Sequence, residues 1–253
     1  MIVMISVYMF FIGAVLSSFL MLVGERIPAG QPINGRSECN ACGETIDWVS
    51  LMPIIGYLIR RGRCRACNAE VPVKYPVVEF AGGALFTLAY LHQGGLTPEL
   101  FIVLLFISIM VTFTSSDLAH RVVPDAFLLG AFPLMLVLRI IYPLDNWLYG
   151  ILGALSGFIF LWGVAWYGRK RFNQMALGGG DIKLYLIVGL FLELDLVFMS
   201  LFYASLIGIV FGKLVLRRKG EVPFVPFIFA GSMLAYFTGP FVIEWYLSLF
   251  DLI

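Results

Sequence analysis

Apolar runs long enough to cross a bilayer recur along almost the whole chain. They cover residues 2–24, 76–93, 98–116, 124–142, 147–168, 182–194, 196–216 and 224–250, where a helical span needs roughly 20 residues. Short polar breaks separate them. The pattern predicts an all-α polytopic membrane protein with about eight transmembrane helices, the sixth run being short for an untilted crossing. One interruption is long. It predicts a first transmembrane helix over 1–24, a loop domain over 25–75 and a membrane domain over 76–253.

Composition agrees, since 253 residues at 60 % hydrophobic, 13 % charged and mean hydropathy +0.94 exclude a soluble domain with a charged surface. The net charge of +1 points to no acidic partner; the placement of the basic residues says more. Lys and Arg gather after the first, third, fifth and seventh runs: Arg36, Arg60, Arg61, Arg63, Arg65 and Lys74; Arg121; Arg169, Lys170 and Arg171; Arg217, Arg218 and Lys219. The intervening loops hold none. The positive-inside rule makes the basic loops cytoplasmic and puts both termini outside. Arg139, late in the fourth run, fits poorly and is expected to snorkel to the outer interface. The first run lacks a basic leading segment and leads into Glu25-Arg26-Ile27-Pro28, so it is expected to be a retained anchor.

All four cysteines fall in the loop, as Cys39-Asn-Ala-Cys42 and Cys64-Arg-Ala-Cys67. Two residues between cysteines let both thiolates of a pair reach one ion, and two pairs complete the tetrahedral set that structural zinc prefers. Disulfides or a redox site are the rival reading, disfavoured in a reducing cytoplasmic loop. Four protein ligands leave no open position, so this zinc would hold the loop together. The arginines beside the second pair fit a nucleic-acid surface or the positive-inside bias equally well.

A carboxylate in or beside a membrane span is costly, so each is a functional candidate. Glu99, Asp145, Glu193, Asp195, Glu244 and Asp251 fall near the outer boundary, where a solvated charge explains them. Glu25, Glu79, Asp117, Asp125, Asp181 and Glu221 fall at cytoplasmic ends of runs. Asp117 ends the third run, and Pro124 before Asp125 opens the fourth. Asp181 follows Gly178-Gly179-Gly180, a turn that lets another backbone come close and delivers a carboxylate to a helix start. Two such aspartates suit the aspartic-protease division of labour, in which one carboxyl keeps its proton while the other acts as base on a shared water. An ion-coupled transporter with a zinc-binding regulatory loop would also place carboxylates and broken helices in a membrane.

The order of these motifs resembles the bacterial type IV prepilin peptidases, a GxGD-type aspartyl protease family. Ser18-Phe19-Leu20 with Arg26-Ile27-Pro28 looks like the family's N-terminal signature. Ser37-x-Cys39-x-x-Cys42, Arg61-Gly62-Arg63-Cys64-Arg65-x-Cys67 and Tyr75-Pro76-Val77-Val78-Glu79 look like its cysteine loop and second span. Asp117 with Pro124-Asp125, Gly178-x-Gly180-Asp181-x-Lys183 and Pro223-Phe224-x-Pro226 match its later motifs. The chain departs from the pattern at Ser17, Met21 and Val225.

The resemblance implies a catalytic pair, Asp117 and Asp181, cutting basic leaders from type IV prepilins or pseudopilins at the cytoplasmic face of a bacterial inner membrane. It implies service to a type IV pilus, type II secretion or competence system. It also implies methylation of the new N-terminus with S-adenosylmethionine, on which Ser17 and Met21 bear. Lys183 is expected beside Asp181 as an electrostatic partner, and Asp125 at a helix start or against substrate. Glu79 would either receive the basic leader or make an interhelical hydrogen bond, and His120 would be an exposed loop residue. The expected partners are these substrates and the lipid bilayer, with no nucleic acid. A membrane-anchored zinc ribbon for nucleic acid or protein would leave Gly178–Lys183 unexplained.

Overall fold

The computed structural model describes residues 1–39, 41–144, 146–172, 177–214 and 222–249. Asp145, Arg217, Arg218, Lys219, Glu221 and Asp251 lie outside the described residues. The described helices are α1 (Ile2–Arg26), α2 (Ile55–Ile59), α3 (Lys74–Gln93), α4 (Pro98–His120), α5 (Asp125–Ile141), α6 (Trp147–Phe172), α7 (Gly179–Leu214) and α8 (Val225–Ser248). Among the described residues, five helices are long and apolar enough to cross a membrane: α1, α4, α8 and most of α6 and α7. The chain is therefore an all-helical, multi-pass membrane protein. Helix α5, with 17 residues, rises only about 25 Å, and Glu79, His92 and Gln93 dilute the apolar character of α3. The runs at 182–194 and 196–216 are the two helical arms of α7, described as far as Leu214, which meet at Glu193, whose φ of 61° and ψ of −174° leave the helical region. Gly157 of α6 faces both Tyr185 of one arm and Val197 of the other, so the chain turns back there.

The chain folds as two compact units, Met1–Ala119 and His120–Ile253. In the first, α1 packs on α3 through small residues, which let two backbones approach where hydrocarbon surrounds both. A Cβ on Gly13 would come within 2.7 Å of the Gly82 carbonyl, and one on Gly83 equally close to that of Phe10. Ser17 and Met21, the two departures in the first run, are buried on this same face of α1. Near its end α1 presses on α4, where a Cβ on Gly24 would meet Ser115 at 3.0 Å.

In the second unit α7 is the common neighbour of α5, α6 and α8. Gly153 of α6 sits against the break, with its would-be Cβ 2.6 Å from the Gly189 carbonyl oxygen and from the backbone of Glu193. A break leaves the preceding carbonyls without intrahelical partners, and hydrocarbon supplies none. Arg139 supplies two hydrogen bonds: Nε donates to the Leu190 carbonyl at 3.0 Å and Nη2 to that of Phe191 at 2.8 Å. Expected to snorkel outward, Arg139 is instead 2 % exposed, because the carbonyls at the break are buried with it.

Candidate active site and cysteine cluster

Asp117 lies near the end of α4, buried after the equally buried Ser115 and Ser116. The last turns of α1 wall this stretch, since a Cβ on Gly24 would also reach 3.2 Å from the Ser116 nitrogen. Asp181 belongs to the second unit and is half-buried in the first turn of α7, where a helix N-terminus favours negative charge. Both motif glycines are explained here. A Cβ on Gly178 would stand 2.9 Å from Asp181 Oδ2, and one on Gly180 would stand 2.7 Å from the Cβ of Val123. The first leaves room for the carboxylate. The second brings the start of α7 against the strand-like link before α5, so the neighbours that need the space are a carboxylate and a valine side chain.

Lys183 does reach a carboxylate, but the ion pair is with Asp125 in the first turn of α5, Nζ to Oδ1 at 2.7 Å. His120 ends α4 and is exposed. Glu79 is buried, and Ser18 Oγ donates to its Oε1 at 2.7 Å while the Ile54 N–H donates to its Oε2 at 2.7 Å. This is an interhelical hydrogen bond with a second arm into the loop. The residue it holds is unusual: Ile54 has φ 63° and ψ −53°, and the Ile55 N–H reaches back to the Pro53 carbonyl at 2.6 Å. That is the strained, positive-φ kind of γ-turn, unfavourable for a β-branched residue.

The cysteines meet. All four sulfurs lie within 4.8 Å of one another, with Cys39–Cys67 at 3.8 Å and Cys42–Cys64 at 4.0 Å. Two matching hairpins bring them there. The Cys39 N–H donates to the Glu44 carbonyl and Gly43 N–H back to Cys39, while the Ile46 N–H reaches Ser37. In the second hairpin Cys64 donates to Ala69, Asn68 to Cys64 and Val71 to Gly62. Gly43 and Asn68, each just after the second cysteine of its pair, have φ 70° and 57°. One bridge closes each hairpin, Glu38 with Thr45 and Arg63 with Glu70.

Clustered thiols share their protons unevenly. Backbone N–H groups of Ala41 and Cys42 aimed at Cys39 pull it down to about 6. The Glu44 N–H pulls Cys42 the same way, but hydrogen bonding with Cys67, burial and the other cysteines outweigh it and push Cys42 up to about 12. A ready thiolate at Cys39 beside a protonated Cys42 belongs to a donor set that can take up a metal cation and release protons. Asp47 braces the loop from the side. It accepts from Ser50 and pairs with Arg60, and these hold its carboxyl below the ordinary value, against the effect of burial.

The fold and these sites define a class: a multi-pass helical membrane protein with a four-cysteine loop and a glycine-set aspartate at a helix start. Residues 11–93 match the family described as Bacterial Peptidase A24 N-terminal domain, and residues 104–213 match the Type IV leader peptidase family. Similar proteins include the Prepilin leader peptidase/N-methyltransferase of Bacillus subtilis (strain 168), 33 % identical over 95 % of this chain and 97 % of that one. Those of Klebsiella pneumoniae, 31 % identical over 78 % and 90 %, and Aeromonas salmonicida (strain A449), 30 % over 84 % and 75 %, carry the same name. The chain belongs to the type IV prepilin leader peptidase family. Membership does not favour the transporter reading. No solved structure matches the chain.

The carbonyl partners of Arg139, the γ-turn at Ile54 and the matching hairpin fold of the two cysteine pairs were not visible in the sequence. Only the last had a signal: Arg36, Cys39, Ala41 and Cys42 align with Arg61, Cys64, Ala66 and Cys67.

Proposed function

We propose that this chain is a membrane aspartyl endopeptidase that cuts basic leaders from type IV prepilins or pseudopilins, with Asp117 and Asp181 as its catalytic pair. The carrying observation is the setting of Asp181, whose carboxylate fills the space that Gly178 leaves open at the first turn of α7. Brought together over substrate, two carboxyls cannot both stay ionised cheaply. The ionised one takes a proton from water as the water oxygen bonds to the leader's carbonyl carbon, and the protonated one gives its proton to the carbonyl oxygen. Collapse of that intermediate breaks the C–N bond, and the leaving amine takes up a proton.

The relatives' printed names add N-methyltransferase, and the same reading extends to this chain: its new N-terminal amine product is methylated with S-adenosylmethionine as donor. The cysteine loop holds zinc. Zinc–thiolate bonds of about 2.3 Å imply sulfurs about 3.8 Å apart at tetrahedral angles, close to the 3.8 and 4.0 Å of the cross-hairpin pairs. Bound there, zinc supplies a structural cross-link. Counting the two arms of α7 separately gives eight crossings, with the first helix over 1–24, the zinc loop over 25–75 on the cytoplasmic side, the peptidase domain over 76–253 and both termini outside. Lys183 and Asp125 support the site rather than contact substrate, and Glu79 ties α1 to the loop.

The test is a cleavage assay on the purified full chain in detergent with a prepilin carrying a basic leader. Asp117→Asn and Asp181→Asn should each lose cleavage by roughly 10⁴-fold or more while keeping the parent's melting temperature. Cutting by either folded variant would sink the pair. A methyl mass on the product, seen only with S-adenosylmethionine present, reports the second activity.

A further inference from the structure

Helix α5 touches the arm of α7 that carries Asp181 at two places far apart along its length. At its first residue, Asp125 Oδ1 holds Lys183 Nζ at 2.7 Å, two residues beyond Asp181. At its far end, Arg139 spans the carbonyls of Leu190 and Phe191, the last residues before the break. N-terminus is tied to N-terminus and C-terminal end to C-terminal end, so the two helices run the same way. The arm over 179–192 lacks what fixes an ordinary long helix, because at Glu193 it is uncoupled from the backbone hydrogen bonds of the arm over 194–214. Its position along its own axis is then set by what grips it from the side.

The two grips differ in kind. The Asp125–Lys183 pair is half-exposed or more on both sides, and a solvated pair of this sort directs geometry more than it adds stability. The Arg139 fork is buried. It places a cation at the negative end of the arm's dipole and fixes two consecutive carbonyls through a planar group. Gly180 pressed on Val123 adds a stop at the catalytic end.

We infer that α5 is a splint: Asp125 and Arg139 are positioning residues that set the height and rotation of the 179–192 arm, and through it the place of the Asp181 carboxylate. This rests on the assignment of Asp181 to catalysis. An Asp181 displaced by about 1 Å loses a large part of the rate, on the order of 10²-fold, without any change in chemistry. Displacement also changes the titration. Two carboxyls drawn apart interact less, their apparent pKa values approach each other, and the bell of kcat against pH narrows. A smaller folded fraction would scale that bell and leave its width alone.

The experiment uses the full chain in detergent with the model prepilin, measuring kcat, KM and the pH profile of kcat. Arg139→Lys keeps the charge but cannot span both carbonyls. It should lower kcat by roughly 10- to 100-fold, leave KM within about twofold and narrow the bell. Asp125→Lys and Lys183→Glu should each lower kcat severalfold, and the double variant Asp125→Lys/Lys183→Glu, which rebuilds the tie with reversed polarity, should recover to within about twofold of the parent. A parental kcat in Arg139→Lys, a bell of unchanged width, or a double variant no better than its singles would overturn the splint. If Arg139→Lys fails to fold, the charge-swap set decides alone. Asp181→Asn separates the two claims: cutting by it overturns the catalytic assignment and the splint with it, whereas a dead Asp181→Asn beside a parental Arg139→Lys overturns the splint only.

Discussion

The cysteine loop and the break in α7 hold their chemistry in opposite ways. Each sulfur pair is placed by a hairpin whose hydrogen bonds close within residues 37–46 or 62–71. Asp181 instead answers to side chains from elsewhere in the chain, Val123 through the adjoining Gly180 and Asp125 and Arg139 through the rest of its helix. A site closed locally tolerates changes around it and depends on a single shared ion. A site spread over several helices needs no ion to exist, but it inherits every packing error along those helices.

The largest effect should come from removing the shared ion's grip. Cys64→Ser should release the metal, whose binding in structural thiolate sites is worth roughly 10–16 kcal/mol of apparent free energy. Metal analysis should show the loss, and amide exchange should rise over 36–72 while α5, α6, α7 and α8 keep their protection. Exchange spreading into α7 would erase the contrast between the two regions. The next effect is in the second unit. Gly189→Ala drives a Cβ into the backbone of Gly153 and Ala154, an overpacking that costs about 1–3 kcal/mol or more. It should lower the melting temperature, raise exchange in both α6 and α7, and slow cleavage, with the cysteine loop unchanged. A cleavage rate equal to the parent's would show that Asp181 is set as locally as the sulfurs are.

The smallest effect concerns pH. The Asp47 carboxyl is held below its ordinary value of 3.8, first by Ser50 and then by Arg60. For an acid whose folded value is depressed, the stabilisation is full above the ordinary value and disappears as pH falls through the lowered one. Beyond the opening that any variant shows as acid displaces the metal from the thiolates, loop cleavage by an acid-active protease should therefore show a further step in the parent as pH falls below about 3.8. The Asp47→Asn loop should show no such step.

These two regions also divide what could be read from the sequence. The four-cysteine cluster was legible because its ligands are set by spacing, and spacing is visible in a string of residues. Asp181 at a helix start and Asp125 opening α5 were legible for the same reason, since Gly178-Gly179-Gly180 and Pro124 mark backbone turns. Arg139 was not, because its partners are carbonyls, which every residue carries and no letter of the sequence distinguishes. The polar cluster at Glu193 and Asp195 marked the turn between the two arms of α7, but not its tightness, a single non-helical residue packed against Gly153. The Glu79 carboxylate was recognised as important but left between two roles, and the γ-turn at Ile54 that it clamps had no sequence signal.

The paired hairpins have a consequence in biosynthetic time. One hairpin offers two sulfurs, and a stable tetrahedral site needs four, so Cys39 and Cys42 leave the ribosome with nothing to complete them. The residues up to Cys67 follow at roughly 5–20 per second, a delay on the order of 1–5 s. During that interval the chain displays a pair of exposed thiols next to a helix already seeking the bilayer. Translation speed through 43–67 thus sets how long a nascent chain is open to the wrong metal or to oxidation before its own second half arrives.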